Sequence, residues 1–125
     1  MAKKILIADN ELQVRELFYD LLTKKGYEVI TAPGGAEAIA YCAKEVPDLV
    51  LLDINMPGMD GITATKQIKG FLPSARVVML TGYDDIKLRS DAESAGASYY
   101  LLKQLIHKEL KPLLKRLLKN EDLAI

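Results

Sequence analysis

Five polar side chains suited to a metal and phosphate site each follow a short apolar run of the sequence. Asp9 and Asn10 follow one run, and Asp53, Thr81 and Lys103 follow three others. Together they supply two carboxylates, a carboxamide, a hydroxyl and an ammonium group. Carboxylate oxygens favour a hard cation such as Mg²⁺, and a carboxylate can attack phosphorus as a nucleophile. A cation and an ammonium group would neutralise the oxygens of a transferring phosphoryl group.

The apolar runs before these residues have the pattern of strands covered on both faces. They lack alternation with polar residues, which is typical of a parallel sheet, and they span 5–8, 49–52, 77–80 and 99–102. A half-polar run at 27–31 is predicted to be an edge strand. Taken singly, an Asp or Thr here could be a helix cap and the lysine a surface residue. Because ligands bind at the carboxyl ends of parallel strands, we expect the five side chains to converge.

Segments with helical periodicity alternate with the strands, at 12–25, 35–44, 61–71, 84–95 and 109–119. Gly26 is predicted to end the first helix. Because proline is tolerated in a first turn but not in a helix interior, Pro112 places the start of the last helix near Glu109. Five strand–helix repeats predict an α/β fold with a parallel sheet and right-handed crossovers.

The last helix carries a leucine stripe opposite basic residues. Packing of the stripe on the sheet is the favoured interpretation, and a membrane-binding or partner-binding helix is the alternative. The stripe consists of Leu110, Leu113, Leu114, Leu117 and Leu118.

Composition excludes several classes of protein. The 125 residues are enough for one domain, which we assign to 1–120, with a C-terminal tail at 121–125. Seventeen basic residues balance 17 acidic ones, so the basic footprint of a nucleic-acid binder is missing. The single cysteine, Cys42, cannot form an internal disulfide and is expected to be buried and inert. No apolar run suits a membrane span or a secretory signal, and we therefore expect a cytoplasmic protein.

Four stretches of the sequence resemble the receiver domains of two-component response regulators, in particular the single-domain, chemotaxis-regulator type. They are Lys-Lys-Ile-Leu-Ile-Ala-Asp-Asn-Glu (3–11), Leu-Leu-Asp-Ile-Asn-Met-Pro-Gly-Met-Asp-Gly (51–61), Val-Val-Met-Leu-Thr-Gly (77–82) and Gly-Ala-Ser-Tyr-Tyr-Leu-Leu-Lys (96–103). The resemblance covers essentially the whole chain. It implies a flavodoxin-like, doubly wound (βα)5 fold whose five-stranded parallel sheet has the order 2-1-3-4-5.

The resemblance also implies a role for each residue of the site. Asp53 matches the phosphoacceptor. Asp9 and Asn10 match the acidic pair that holds Mg²⁺, together with Asp53, and Asn55 matches the position whose backbone carbonyl completes the metal shell. Lys103 matches the lysine that pairs with the phosphoryl group.

Two further matches concern switching. Thr81 matches the hydroxyl that grips the phosphoryl group, and Tyr100 matches the aromatic residue that the family turns inward when that hydroxyl moves. An ordinary core or interface tyrosine is the alternative for Tyr100.

The function implied is that of a phosphorelay receiver rather than an enzyme. A sensor histidine kinase or a phosphotransfer protein would phosphorylate Asp53 in the presence of Mg²⁺. Output would pass to a downstream protein through the fourth helix, fifth strand and fifth helix, without direct contact with nucleic acid or membrane. The chain could act alone or within a longer regulator. A basic patch facing an acidic partner would involve Lys87, Tyr99, Lys108 and Lys111.

Two positions depart from the family pattern. Asn10 stands where an Asp or Glu is usual, and Gln104 stands where a proline, often in a cis peptide, is usual. A cis peptide after Lys103 is not expected, because it costs about 2.5–4 kcal/mol without proline. A carboxylate facing a divalent ion contributes at most about 8 kcal/mol at an effective dielectric of 20, so Asn10 predicts weaker Mg²⁺ binding. These departures favour, as the alternative, a degenerate receiver that binds proteins without phosphorylation.

Overall fold

A computed structural model describes residues 2–119, in which five strands alternate with five helices. The strands are β1 (Lys4–Ala8), β2 (Glu28–Ala32), β3 (Leu49–Asp53), β4 (Arg76–Thr81) and β5 (Tyr99–Leu102). The helices are α1 (Leu12–Lys24), α2 (Gly35–Glu45), α3 (Gly61–Phe71), α4 (Ile86–Ala95) and α5 (Ile106–Leu117), and a 3₁₀ turn, Lys103–Leu105, joins β5 to α5. The predicted tail at 121–125 lies outside the described residues, and the domain boundary at 120 stays a prediction.

The five strands form one parallel sheet in the order β2-β1-β3-β4-β5. This confirms the predicted α/β class, the edge position of β2 and the strand order. β1 lies between β2 and β3, with Ile7 opposite both Thr31 and Leu51. The order of winding therefore reverses between β1 and β3, and crevices for ligands open at such reversals. Asp9 and Asp53 come at the carboxyl ends of these two strands.

Both faces of the sheet are buried, because successive strand residues point to opposite sides. Leu6 and Val50 belong to the cluster that includes Cys42 and packs against α2, α3 and α4. Ile7 and Leu51 belong to the other cluster, which packs against α1 and α5. Cys42 is buried as predicted, and burial raises the pKa of its thiol to about 11, so the thiolate is scarce at neutral pH.

The start of α5 differs from the prediction. The helix begins at Ile106 rather than near Glu109, and Pro112 lies in its interior. Because Ile106 continues the buried leucine face, the extra turn packs into the core. Pro112 and Lys108 are exposed, so the backbone hydrogen bond that proline removes belongs to the exposed side of the helix. The leucine stripe of α5 is thus buried against the sheet, which was the favoured interpretation of the sequence.

Smaller differences occur at two other helix ends. α4 begins at Ile86 rather than at 84, because the Asp85 side chain accepts a hydrogen bond from the Leu88 N–H at 2.9 Å and caps the helix. α1 ends at Lys24, and Gly26 follows with φ of 91°, which confirms its predicted role. Every helix within residues 2–119 is too short or too polar to cross a bilayer.

Gly61 allows α3 to begin directly against the end of β3. Its N–H donates to the Ile54 carbonyl at 2.9 Å. A Cβ at this position would overlap the Asp53 carbonyl oxygen and would lie 2.9 Å from the Ile54 Cα. Backbone atoms cannot move aside as a flexible side chain can, so the absence of a side chain here fixes the path of the chain around Asp53.

Gly61→Ala is expected to lower the free energy of unfolding by about 3 kcal/mol, the upper part of the range for overpacking. Gly70→Ala, on the same helix, is the matched control, because nothing lies within 4 Å of its added Cβ. We expect the control to be neutral or to stabilise by up to about 1 kcal/mol. Urea denaturation of both variants measures the difference, and equal stabilities would contradict the close approach.

Candidate functional site

The carboxylates of Asp9 and Asp53 share the ammonium group of Lys103. Both carboxylates are buried. Lys103 Nζ lies 2.9 Å from Asp9 Oδ2, 3.5 Å from Asp53 Oδ1 and 3.8 Å from Glu11 Oε1. The structure therefore brings together three of the residues singled out from the sequence, from three different strand ends. Glu11 also lies near Lys103, although the sequence pattern did not indicate a role for it. Its position directly after Asp9 and Asn10 was the available signal.

The side chain of Asn10 lies against the same carboxylate from the other side. In the orientation that satisfies its neighbours, its amide nitrogen donates to Asp53 Oδ2 and to the Asn55 carbonyl, each at 3.2 Å. The Asn55 N–H in turn donates to Asp53 Oδ1 at 3.2 Å. Both oxygens of Asp53 thus have partners, Oδ1 on the lysine side and Oδ2 on the asparagine side.

The surroundings of Asp53 oppose its ionisation. Burial and, second, the nearby charge of Asp9 raise its pKa from 3.8 to about 6, although Lys103 and the Asn55 N–H act in the opposite direction. For Lys103, burial alone would lower the pKa, but the Asp9 contact and the charges of Asp53 and Glu11 raise it overall. One ammonium group therefore holds a buried acidic pair that it does not fully neutralise.

Thr81, at the carboxyl end of β4, is linked to Tyr100 through the backbone of Tyr83. The Tyr83 N–H donates to Thr81 Oγ1 at 3.2 Å, and the Tyr100 hydroxyl donates to the Tyr83 carbonyl at 2.7 Å. Burial raises the pKa of Tyr100, and a hydrogen bond with the Thr81 hydroxyl opposes that rise. The guanidinium carbon of Arg89 lies 4.5 Å from the centre of the Tyr100 ring. Tyr100 is thus buried beside the site, and its hydroxyl is tied to the loop that follows β4.

The loop that carries Lys103 is ordered without proline. The 3₁₀ turn begins at Lys103 itself, and residues 2–119 contain no cis peptide bond, which agrees with the expectation from Gln104. The Gln104 side chain donates to the Gly82 carbonyl at 3.4 Å. Gln104 therefore joins Tyr100 in linking the β5 side of the site to the loop after β4, a contact that the sequence did not reveal.

The donor atoms fit a magnesium ion. Within the described part of the chain, Asp9 Oδ2 is buried without a well-oriented hydrogen-bond donor, although Lys103 lies beside it. Among residues 2–119, no three His, Cys, Asp or Glu side chains form a metal cluster. Mg²⁺ needs only one or two carboxylates, because it keeps several of its waters. Asp9, Asp53 and the Asn55 carbonyl meet that need, and Asp53 and Asn55 line an open cavity of about 450 Å³.

Comparison with known proteins points to one family. A family model described as the response regulator receiver domain matches residues 5–115. The sporulation initiation phosphotransferase F of Bacillus subtilis is 35% identical over 94% of this chain and 95% of its own length. The chemotaxis protein CheY of the same organism is 41% identical over 82% of this chain and 87% of its own length.

A solved structure agrees with these matches. It is the response regulator protein TrrA from Thermotoga maritima in complex with Mg²⁺-BeF, which is 38% identical. The similarity covers 92% of this chain and 98% of that chain, with a TM-score of 0.84.

Asp53→Asn is expected to stabilise the metal-free protein at pH 7 by about 2 kcal/mol. Because the pKa rises from 3.8 to about 6 on folding, the folded state binds the proton more tightly than the unfolded chain. The stabilisation by protonated Asp53 is complete below pH 3.8 and is lost as the pH rises through about 6. The difference between the two pKa values corresponds to a change of at most about 3 kcal/mol in the free energy of unfolding. Asparagine mimics the protonated form of Asp53, so it should recover most of this free energy.

Urea denaturation with a chelator, at pH 4 and pH 7, tests this expectation. The advantage of Asp53→Asn should be present at pH 7 and nearly vanish at pH 4. Asp91→Asn, at an exposed position of α4, is the control and should change little at either pH. Equal stabilities of wild type and Asp53→Asn at pH 7 would show that ionised Asp53 is not destabilising.

Proposed function

The chain belongs to the family of response regulator receiver domains, the signalling modules of two-component systems, and on that premise we propose that Asp53 is its phosphoacceptor. The observation that carries the proposal is the placement of the Asp53 carboxylate between the Lys103 ammonium group and the Asn10 amide, at the reversal of strand order. A buried carboxylate in this position can face an incoming phosphorus atom, while positive charge lies beside it.

Asp53 Oδ1 is the proposed nucleophile, because it lies on the Lys103 side. Its bond to phosphorus forms as the phosphorus–nitrogen bond of a phosphohistidine donor breaks, and Lys103 stabilises the transferring oxygens. Asp9, Asp53 Oδ2 and the Asn55 carbonyl would hold Mg²⁺, which supplies further positive charge to those oxygens when bound. The donor would be a sensor histidine kinase or a phosphotransfer protein in the cytoplasm. Similarity to a relative named as a phosphotransferase supports such a donor.

Thr81 is the proposed link from the site to the surface. Its hydroxyl already has partners in Tyr83 and Tyr100, so an acyl phosphate on Asp53 would compete for its proton. Turning the Thr81 hydroxyl toward the phosphoryl group would disturb the hydrogen bond that it accepts from the Tyr83 N–H. Through Tyr83, it would also disturb the bond that holds the Tyr100 hydroxyl to the loop after β4. The phosphoryl group would in this way bias two arrangements of the same surface.

We infer that the output surface is formed by α4, β5 and α5. Lys87, Lys108 and Lys111 are exposed, which supports a basic patch for an acidic partner protein. Tyr99 is half-buried, and its hydroxyl donates to Glu109 Oε1 at 3.4 Å, so one acidic group lies within the patch.

A phosphorylation-independent binding module is the second candidate. The Asn10 amide favours it, because it already pairs with an oxygen of the phosphoacceptor. The presence of Asp53, Thr81 and Lys103 together favours the first candidate. A pure binding module would not need the buried carboxylates of Asp9 and Asp53.

Incubation with acetyl phosphate and Mg²⁺ is expected to add the mass of one phosphoryl group to the wild-type protein. The adduct should disappear in the presence of chelator and in Asp53→Ala, and it should persist in Asp91→Ala, which removes an exposed aspartate. Intact-mass spectrometry measures it. A folded protein that forms no adduct at any Mg²⁺ concentration would overturn the proposal and favour the binding module.

Tyr100→Phe is expected to keep the adduct but to lower the free energy of unfolding by about 1 kcal/mol. The substitution removes the hydrogen bond to the Tyr83 carbonyl, and a net hydrogen bond contributes about 0.5–1.5 kcal/mol. Urea denaturation and intact mass together measure the two effects, with Tyr41→Phe, at an exposed position of α2, as the control. Loss of the adduct would instead place Tyr100 in the chemistry itself.

A further inference from the structure

We propose that the Asn10 carboxamide competes with a divalent cation for the oxygens of the site, so that the cation must displace it in order to bind. This inference deepens the proposed function, because it concerns the same site and rests on that assignment of the metal-binding residues. It differs from the expectation drawn from the sequence, in which Asn10 belongs to the pair that holds Mg²⁺ and binds it weakly.

The contacts of the amide nitrogen carry the inference. The two acceptors of its N–H groups are Asp53 Oδ2 and the Asn55 carbonyl, each 3.2 Å away. These are two of the oxygens that a cation would need. Asp53 Oδ1 has other partners, the Asn55 N–H and the Lys103 ammonium group. The nitrogen therefore engages two of the oxygens that the proposed metal site requires, and it satisfies them without a charge.

Displacement of this amide has a low steric cost. Asn10 is exposed, whereas Asp9 and Asp53 are buried. An exposed side chain can rotate into solvent without leaving a cavity. The asparagine thus stabilises the metal-free site, and its two hydrogen bonds must be broken when a cation enters.

The competing and the ligand roles predict opposite effects of truncation. If Asn10 binds the cation through its oxygen, Asn10→Ala removes a ligand and weakens Mg²⁺ binding. If Asn10 competes, the same substitution removes the competitor, and Mg²⁺ binding becomes about fivefold tighter, a fold-change that two hydrogen bonds of modest net strength allow. Asn10→Asp should bind more tightly still, by roughly a hundredfold, because it adds a charge.

Calorimetric titration with MgCl₂ alone, on the full chain, provides the test. The variants are Asn10→Ala, Asn10→Asp and, as a matched control, Gln67→Ala, which removes an exposed amide from α3. We expect Gln67→Ala to bind Mg²⁺ as the wild type does. An Mg²⁺ affinity of Asn10→Ala that is equal to or weaker than wild type would overturn the inference. Asn10→Ser takes the place of Asn10→Ala if the alanine variant does not fold, with the same two outcomes.

Thermal unfolding gives a second readout that needs no phosphorylation. In chelator, Asn10→Ala and Asn10→Asp should both melt below wild type, because Asp53 Oδ2 and the Asn55 carbonyl lose their donor. Saturating Mg²⁺ should raise both melting temperatures by more than that of wild type. An Asn10→Ala variant as stable as wild type in chelator would overturn the inference.

The outcomes separate this inference from the proposed function. If acetyl phosphate labels Asp53 but truncation of Asn10 weakens Mg²⁺ binding, the phosphoacceptor stands and the competing amide is wrong. If truncation tightens Mg²⁺ binding but Asp53 takes no phosphoryl group, the competing amide stands and the phosphoacceptor is wrong.

Discussion

The electrostatics of the site depend on two buried carboxylates that share one ammonium group. Asp9 and Asp53 lie at the ends of adjacent strands, and Lys103 contacts both from a third strand end. Their mutual repulsion and their burial keep the pKa of Asp53 raised, so the site retains an excess of negative charge. A metal ion or a hydrogen-bond donor relieves this excess, and the Asn10 amide is such a donor in the orientation that its acceptor neighbours favour. The carboxylates are therefore held together with more negative charge than Lys103 balances.

The same constraint links the site to its surroundings. Each charged group belongs to a different strand end, so the Lys103 contacts join segments that are distant in sequence. Tyr83 donates its N–H to Thr81 and accepts from the Tyr100 hydroxyl, and the Gln104 side chain donates to the Gly82 carbonyl over a longer distance. The loop after β4 is thus held at two of its carbonyls by side chains from β5 and from the turn that follows it.

The scaffold around these groups is closely packed at β3 and at the start of α3. β3 is buried along its whole length, and Gly61 brings the start of α3 against the backbone of Asp53 so closely that no side chain fits between them. The leucine face of α5 covers the sheet beneath β5, and its extra turn from Ile106 adds to that cover. The rigid core and the hydrogen-bonded loops meet at the carboxyl edge of the sheet, where Asp53 lies.

The sequence by itself determined the α/β class, the order of the elements, the faces that are buried and the identities of the polar groups at the strand ends. These follow from periodicity and composition, which are local properties of the chain. The local pattern predicted the wrong start for α5. Burial of Ile106 outweighs the helix-breaking tendency of Pro112, which lies at an exposed position. Only the tertiary structure decided which acceptors surround the Asn10 amide, how Lys103 is shared and where the Tyr100 hydroxyl bonds. Such choices depend on distances between segments far apart in the chain, which no local pattern contains.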